Sequence, residues 1–306
     1  MEITLIQMDI AWGNPQANHE AARQLMLSAE PSDLYVLPEM WSTGYNVEPR
    51  EVAEGEDGET LRWMQRMADK LDAAVAGSIA VRLKDGTFRN RLYFVTPSLS
   101  QPSLLLPPLR GKDSDKEGEA KPDGRKESQL PSAPCLESSP TGGSQMGVFY
   151  DKHHLFSYGH EDEHYTAGSE RVTVEWRGVR YRLSVCYDLR FPLWLRNLDD
   201  YDALICVASW PSVRMHAWRV LLQARAIENQ CYVLGVNRVG SDPVCQYTGG
   251  TAFVCPYGEM TALPDDAVST LTQTLDMDRL RSFRTKFPVL KDADTGSIPY
   301  VDTFRC

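Results

Sequence analysis

Positively charged residues are in short supply in this 306-residue chain: 32 Lys and Arg stand against 42 Asp and Glu, for a net charge of −10 at pH 7. An acidic chain gains no affinity from phosphate backbones, so no nucleic-acid partner is expected. No apolar run approaches the roughly 20 residues that a membrane-spanning helix needs, so no membrane association is expected. The first residues, MEITLIQMDIAWGNP, lack a basic start and a continuous apolar block. They indicate a first strand rather than a secretory signal, and we expect a cytoplasmic protein.

Cysteines are also few and irregularly spaced. The chain has seven, no two of which form a CxxC pair. An odd number without regular spacing argues against a disulfide framework. The missing CxxC pairs leave a zinc ribbon or a thioredoxin-like site unsupported. Most of the cysteines are therefore expected to be small, buried, hydrophobic side chains.

Aromatic residues are absent from residues 98–147, which are crowded with Ser, Pro, Gly and alternating charges. Such a composition buries too little apolar surface to offset its ordering entropy. We predict a single domain over residues 1–306 with a disordered insertion at 98–147 that loops out between two strands. A tolerated surface insertion is favoured, because chain entropy penalises a long loop only slowly with length. A regulatory or partner-binding loop is the alternative.

Short apolar runs alternate with amphipathic stretches elsewhere in the chain. The runs predicted as strands are EITLIQMDI, LYVLP, AAVAGSIAV, NRLYFVTP, VRYRLSVCY, ALICVAS and CYVLGVNRVG. Apolar residues recur at helical spacing in PQANHEAARQLMLSAE, ETLRWMQRMADKLD and RMHAWRVLLQARAIENQ. This alternation predicts a layered α/β fold with largely covered strands. In such folds, functional sites lie beyond the carboxyl ends of strands.

Three chemically capable side chains follow predicted strands. Glu39, among apolar neighbours, suits a general acid or base, and Lys152 can supply positive charge to an oxyanion. Cys186 ends a strand just before a segment predicted to start a helix near Pro192. A strand, a sharp turn and a helix together expose a nucleophile, and a helix N-terminus and a lysine would depress the thiol pKa. Taken singly, the three side chains are better explained as a surface acid, a solvated lysine and a buried structural cysteine.

The combination is more specific than its parts. The segments LPEMWSTGY, YDKHHLF and VCYDLRFP resemble the Glu–Lys–Cys triad motifs of the nitrilase superfamily of carbon–nitrogen hydrolases. The resemblance covers nearly the whole chain outside 98–147. The segments VASWP and LLQARAIENQCYVLGVNRVG are most similar to the ω-amidase branch, which hydrolyses 2-oxoglutaramate and similar ω-amides. The resemblance implies an α/β fold of the nitrilase-like αββα four-layer type and a homodimer, to whose interface residues 281–306 are expected to contribute.

The mechanism expected from these residues is covalent. Cys186 attacks an amide carbonyl and forms a thioester. Lys152 and the backbone N–H of Tyr187 stabilise the oxyanion, and Glu39 transfers the protons. A small-molecule amide and water are the expected partners, and no metal or organic cofactor is required.

A second glutamate belongs to the family pattern, seven residues before a glycine. Glu161 has this spacing from Gly168 and would hold Lys152 and orient the amide. Glu163 is close enough in sequence to leave the assignment open.

Other residues are candidates for the substrate pocket and the nucleophile turn. Trp210 follows a predicted strand and is expected to wall the pocket together with Tyr45, although a large aromatic residue there is otherwise core. Asp188 and Arg190 are expected to form an ion pair that shapes the turn. Recognition of a substrate carboxylate by Arg190 is the alternative.

The string HEDEH, residues 160–164, matches the H-E-x-x-H motif of zinc proteases. Its surroundings show little helical apolar periodicity and no obvious third ligand, so a metal site is not predicted. Two alternatives to an ω-amidase stay open. One is a related hydrolase of another amide, a nitrile or a carbamoyl compound. The other is a non-catalytic scaffold that binds through 98–147.

Overall fold

The structure is a computed structural model that describes residues 1–46, 48–100, 103–105 and 147–293. Its helices are α1 (Pro15–Ser28), α2 (Glu59–Leu71), α3 (Glu161–His164), α4 (Met215–Glu228) and α5 (Met277–Lys286). Its strands are β1 (Glu2–Gln7), β2 (Leu34–Val36), β3 (Glu54–Gly55), β4 (Ala74–Arg82), β5 (Phe88–Val95), β6 (Ser103–Leu105), β7 (Val148–Asp151), β8 (Thr173–Trp176), β9 (Val179–Val185), β10 (Ala203–Val207), β11 (Tyr232–Val236), β12 (Val239–Ser241), β13 (Gln246–Thr248), β14 (Ala252–Val254), β15 (Met260–Ala262) and β16 (Ser269–Thr274).

Two large sheets dominate the fold. The first has the strand order β16-β1-β2-β4-β5-β7, with β3 beside β4, and the second has the order β15-β14-β11-β10-β9-β8-β6. The central strands run parallel in each sheet, β1 with β2 and β4, and β9 with β10 and β11. Parallel neighbours end at the same edge, so the segments that follow them are brought together at one side of each sheet.

Three apolar cores separate four layers. One core lies between the sheets, a second between the first sheet and helices α1 and α2, and a third between the second sheet and α4. The alternation of side chains along a strand produces this arrangement. In β4, for example, Ala74 and Ala76 face the other sheet whereas Val75 faces the helices. The layer order is αββα, as predicted.

All seven predicted strand segments and all three predicted helical segments contain an element of the expected type. The helix predicted near Pro192 was wrong. The segment instead forms a five-residue 3₁₀ helix, Cys186–Arg190, which ends at Phe191 with φ −112° and ψ 91°. Phe191 precedes a proline, whose ring disfavours the α conformation in the residue before it and so prevents continuation into an α-helix.

The predicted insertion lies mostly outside the described residues. Within it, Ser103–Leu105 forms β6, which pairs antiparallel with β8. The predicted disorder at 98–147 and the single domain over 1–306 stay predictions. In the part of the chain that the structure describes, no helix is long and apolar enough to cross a membrane.

Candidate active site

Four separate elements bring the candidate catalytic residues together. Glu39 lies in the turn after β2, Lys152 directly follows β7, Glu161 begins α3, and Cys186 directly follows β9. Glu39 and Lys152 come from the first sheet and Cys186 from the second. The backbone N–H of Glu39 also donates to the carbonyl of Ala208, just beyond β10, which ties the two sheet edges together.

Lys152 forms a buried ion cluster with two carboxylates. Its Nζ lies 2.9 Å from Oε1 of Glu39 and 2.8 Å from Oε2 of Glu161. The lysine side chain is 1% exposed, and the glutamate side chains are both 0% exposed. With water excluded, these charges interact far more strongly than they would at the surface. Of the two candidate glutamates, Glu161 makes the contact, whereas Glu163 is exposed and pairs with His160.

Ionisation within the cluster is set by burial and by mutual charge. Burial alone would lower the pKa of Lys152, but the carboxylates of Glu161 and Glu39 outweigh it and hold that pKa well above its usual value. Lys152 is therefore a permanent cation. Burial first, and then the negative charge of Glu161, raise the pKa of both Tyr45 and Tyr165, so both phenols stay neutral.

Asn90 is a member of this site that the sequence analysis missed. Its Nδ2 donates to Oε1 of Glu39 at 2.8 Å and to Oε1 of Glu161 at 3.0 Å. The backbone carbonyl oxygen of Asn90 also accepts a hydrogen bond from the backbone N–H of Lys152, at 2.9 Å. The segment NRLYFVTP was interpreted only as a strand. The one available signal was an amide at the start of this segment, beside Arg91 and ahead of its apolar run.

Cys186 occupies an unusual backbone conformation at the start of the 3₁₀ helix. Its φ is +47°, in the left-handed region that non-glycine residues seldom adopt. The expected depression of the thiol pKa was wrong. Burial first, and then the negative charge of Glu39, raise the pKa of Cys186 well above its usual value, although Lys152 lowers it. The surroundings of Cys186 thus favour the neutral thiol over the thiolate.

Asp188 shapes the nucleophile turn, but not through Arg190 as predicted. Its Oδ2 accepts from the backbone N–H of Val185 at 3.0 Å and from the hydroxyl of Tyr150 at 2.8 Å. Its Oδ1 accepts from the backbone N–H of His154 at 2.9 Å. These bonds fasten the turn to the segment that carries Lys152. The carboxylate is thereby satisfied without an arginine.

A pocket opens onto this cluster. Six of the seven predicted site residues line it: Glu39, Tyr45, Lys152, Cys186, Tyr187 and Trp210. Glu161, the seventh, does not line the pocket and instead contacts Lys152, which does. Trp210 is buried and Tyr45 is partly buried, and both also form pocket walls. The pocket therefore presents a thiol, a carboxylate and an ammonium to one small enclosed volume.

Two arginines, Arg190 and Arg214, also line the pocket. The guanidinium of Arg190 lies 4.9 Å from the ring centre of Trp210, and that of Arg214 lies 5.2 Å from the ring centre of Phe156. Within the described residues, neither arginine forms a salt bridge. The pocket thus carries two positive charges without carboxylate partners.

The HEDEH string does not form a zinc-protease arrangement. Glu161 binds Lys152, His160 pairs with Glu163 at 2.7 Å, and His164 lies 3.7 Å from Glu48. Over residues 1–46, 48–100 and 147–293, no group of three or more His, Cys, Asp or Glu side chains is placed to hold a metal ion.

Five of the seven cysteines lie in the described part of the chain, and all five are free. Cys206, Cys231 and Cys255 are buried, as expected for small hydrophobic side chains. Cys245 is partly exposed and lines the pocket. Cys135 and Cys306 lie outside the described residues.

Comparison with curated proteins finds relatives over nearly the full length. The chain is 37% identical to omega-amidase YafV of Escherichia coli K12 over 296 residues, covering 96% of this chain and 97% of the relative. It is 30% identical to 2-oxoglutaramate amidase of Bacillus subtilis, covering 95% and 96% respectively. The carbon–nitrogen hydrolase family matches residues 2–104 and 140–285, and the unmatched stretch between them lies within the predicted insertion.

Solved structures share the fold. XC1258 from Xanthomonas campestris, a CN-hydrolase superfamily protein with an arsenic adduct in its active site, is 32% identical with a TM-score of 0.79, covering 97% of this chain and 98% of that one. Nit3 of Saccharomyces cerevisiae, a nitrilase-superfamily member, is 19% identical with a TM-score of 0.72, covering 94% of each chain, and shows the fold alone. The chain belongs to the carbon–nitrogen hydrolase family, and the enzyme class predicted from its sequence, an amidase of that family, is confirmed.

Proposed function

We propose that this enzyme hydrolyses the terminal amide of a small dicarboxylic keto acid, such as 2-oxoglutaramate, through a thioester on Cys186. One observation carries the proposal: the Cys186 thiol opens onto the same pocket as the Glu39–Lys152 ion pair and two arginines that form no salt bridge with any described residue. The names of the curated relatives, omega-amidase and 2-oxoglutaramate amidase, support the same substrate class.

The first half-reaction begins with a proton transfer. Because burial raises the pKa of Cys186, the thiol needs a base, and Glu39 takes its proton. The thiolate attacks the amide carbon, and the electron pair of the C=O bond moves to oxygen. The Lys152 ammonium donates to Oε1 of Glu39 at 2.9 Å and to both carboxylate oxygens of Glu161 at 3.1 and 2.8 Å. It also lines the pocket, where its positive charge and the backbone N–H of Tyr187 stabilise the oxyanion. The C–N bond then breaks, Glu39 protonates the nitrogen, and ammonia leaves.

The second half-reaction reuses the same groups. Glu39, ionised again, takes a proton from water, and the hydroxide attacks the thioester carbon. The oxyanion forms in the same place and collapses. The C–S bond breaks, the sulfur of Cys186 regains a proton from Glu39, and the acid product leaves. No step consumes an external reductant or oxidant.

The two arginines favour an acidic substrate. Arg190 and Arg214 rest on aromatic rings, so their guanidinium groups are ordered before a ligand arrives. The planar donor fork of arginine matches a carboxylate. A substrate with a carboxylate at one end and an amide at the other would pair its acid with this cationic wall and present its amide to Cys186.

A substrate panel tests the proposal. Ammonia release is measured from 2-oxoglutaramate, from a neutral amide of similar length, and from an aliphatic nitrile and a carbamoyl compound. Wild type is compared with Cys186→Ala and with a matched control, Cys231→Ala, which removes a buried thiol outside the site. We expect turnover of the keto acid amide in wild type and the control, and none in Cys186→Ala.

The arginines add a second arm to this panel. Arg190→Gln and Arg214→Gln are expected to raise KM for 2-oxoglutaramate about 10-fold or more, as loss of a charged hydrogen bond does, and to leave the neutral amide unaffected. Preferential turnover of the nitrile, the carbamoyl compound or the neutral amide by wild type would refute the proposed substrate class. Equal losses on acidic and neutral amides would refute the carboxylate role.

We also propose a homodimer paired through α4. Val220 and Ile227 lie seven residues apart on this helix, 48% and 55% exposed, which places two apolar side chains on one outward face. Light scattering should give twice the chain mass, and Val220→Asp should shift it toward a monomer. A monomeric wild type would contradict the pairing. The cytoplasmic location stays a prediction.

A further inference from the structure

Asn90 is the only uncharged side chain that hydrogen-bonds both glutamates of the ion cluster in the described part of the chain. It lies on β5, 1% exposed, behind the pocket rather than in its lining. Both amide donors are engaged, one toward Glu39 and one toward Glu161. Carboxylates offer only acceptors, so the amide nitrogen and not its oxygen must face them.

The bonds to Glu39 are distributed unevenly between its two oxygens. Oε1 accepts from Asn90 at 2.8 Å and from Lys152 at 2.9 Å. Among the described residues, Oε2 accepts only from the backbone N–H of Ser209, at 2.8 Å. Two donors fill the lone pairs of Oε1, whereas Oε2 keeps one lone pair free. An arriving proton therefore finds its acceptor on Oε2.

The cluster also carries one uncompensated negative charge. Two carboxylates and a single ammonium are buried together, and the nearby phenols of Tyr45 and Tyr165 stay neutral. The amide of Asn90 supplies two N–H dipoles toward this excess charge without adding a proton that can be lost. Hydrogen bonds to an ionised carboxylate stabilise its charged form.

We propose that Asn90 is a positioning residue for catalysis. It holds the carboxylates of Glu39 and Glu161 side by side through its two N–H donors and directs the protons of the reaction to Oε2 of Glu39. The proton leaves the sulfur of Cys186 for Oε2 and passes from there to the departing nitrogen. This inference rests on the proposed function for its catalytic step, but the ionisation of the cluster is testable without a substrate.

Two substitutions separate a charge role from a packing role. Asn90→Ala removes both donors and leaves a small gap. Asn90→Asp preserves shape and volume but replaces the donors with a third acceptor. A residue needed only for packing would tolerate aspartate better than alanine. The charge role predicts the reverse at neutral pH, because aspartate adds repulsion to a cluster that is already negative.

A matched control comes from another buried amide. Asn197 is fully buried, and its Nδ2 donates to the carbonyl oxygens of Tyr201 and Asn229 at 3.0 and 2.9 Å, away from the pocket. Asn197→Ala is expected to lower the melting temperature while leaving the pH dependence of activity unchanged. Melting curves establish which variants are folded.

Three measurements are made on each folded variant: kcat and KM for 2-oxoglutaramate, the pH–rate profile, and the pH dependence of Cys186 alkylation by iodoacetamide, followed on the peptide that contains it. We expect kcat to fall about 10- to 100-fold in Asn90→Ala with KM nearly unchanged, the range for lost bonds to charged groups. In Asn90→Ala, the acid limbs of the pH–rate profile and of the alkylation profile should move to higher pH by about one pH unit. In Asn90→Asp, both limbs should move further.

The outcomes are distinguishable from failure of the proposed function. If wild type releases no ammonia from any ω-amide, that function is wrong, yet the alkylation profile still reports on Asn90. Alkylation and rate profiles that coincide with wild type in both variants would overturn the inference. A higher kcat in Asn90→Asp than in Asn90→Ala at neutral pH would also overturn the inference. Loss of folded protein in both variants would do the same, because either result assigns Asn90 a purely structural role.

Discussion

Replacing Lys152 with methionine is the most informative single perturbation of the ion cluster. Methionine has a similar length and no charge, so the substitution leaves little cavity but strands two buried carboxylates. Nζ contacts Glu39 at 2.9 Å and Glu161 at 2.8 Å, and none of the three side chains is more than 1% exposed. Removing one partner of a buried ion pair costs about 3–5 kcal/mol, because the remaining charge is uncompensated.

The cost should depend on pH in a definite direction. As pH falls, the stranded carboxylates of Lys152→Met take up a proton, which removes part of their repulsion. The folded variant then binds more protons than its unfolded chain, so its stability decreases as pH rises. The stability deficit relative to wild type is therefore expected to be larger at pH 7 than at pH 5. At pH 7 it corresponds to a melting temperature lower by roughly 5–15 °C.

Thermal melting at pH 5 and pH 7, with amidase activity at pH 7, provides the assay. Lys70→Met is the matched control, since Lys70 is exposed on α2 and its loss should change little. Activity of Lys152→Met should fall at least about 100-fold, the effect of losing one oxyanion donor. A variant as stable as the control at both pH values, or a deficit independent of pH, would refute the electrostatic reasoning.

Three further predictions follow from the same site. Cys186→Ser should melt close to the Cys231→Ser control but lose ammonia release; full turnover would remove the thiol from the mechanism. Burial raises the pKa of Cys186, and the Glu39→Gln variant lacks the base that would take its proton. In that variant, alkylation of Cys186 by iodoacetamide should be slow at pH 7, and its rate should rise about tenfold per pH unit. An alkylation rate that levels off near pH 7 would contradict this. Asp188→Asn would place an amide N–H against the hydroxyl of Tyr150 and the backbone N–H of Val185, which are themselves donors. The substitution should lower the free energy of unfolding by about 1–3 kcal/mol. An unchanged melting curve would show that these hydrogen bonds are dispensable.

The sequence indicated where the site would be more reliably than how it would behave. Glu39, Lys152 and Cys186 each lie at the end of a strand, where sites are expected, and the resemblance of their three segments to the family motifs singled them out. The thiol pKa of Cys186 went the other way from expectation, because burial and the carboxylate of Glu39 outweigh the nearby lysine. The burial and the carboxylate of Glu39 both come from residues distant from Cys186 in sequence. The local sequence around Cys186 therefore could not predict their effect on its pKa.

Side-chain partners were harder still to predict. Glu161 and Glu163 share a four-residue helix, and spacing alone did not decide which of them faces inward. Asp188 and Arg190 lie close together in sequence, which suggested an ion pair. The carboxylate of Asp188 instead accepts hydrogen bonds from the hydroxyl of Tyr150 and from backbone N–H groups. Asn90 escaped notice because the periodicity of a strand describes its backbone, and its two carboxylate partners lie 51 and 71 residues away.

Direct observation of the covalent intermediate tests the central claim. Enzyme mixed with 2-oxoglutaramate is quenched in acid within the first turnovers, and the peptide containing Cys186 is examined by mass spectrometry. We expect that cysteine to gain the mass of the substrate minus ammonia, and we expect both this adduct and ammonia release to be lost in Cys186→Ala. Sustained ammonia release from Cys186→Ala, or turnover by wild type with the adduct on another residue, would contradict the central claim.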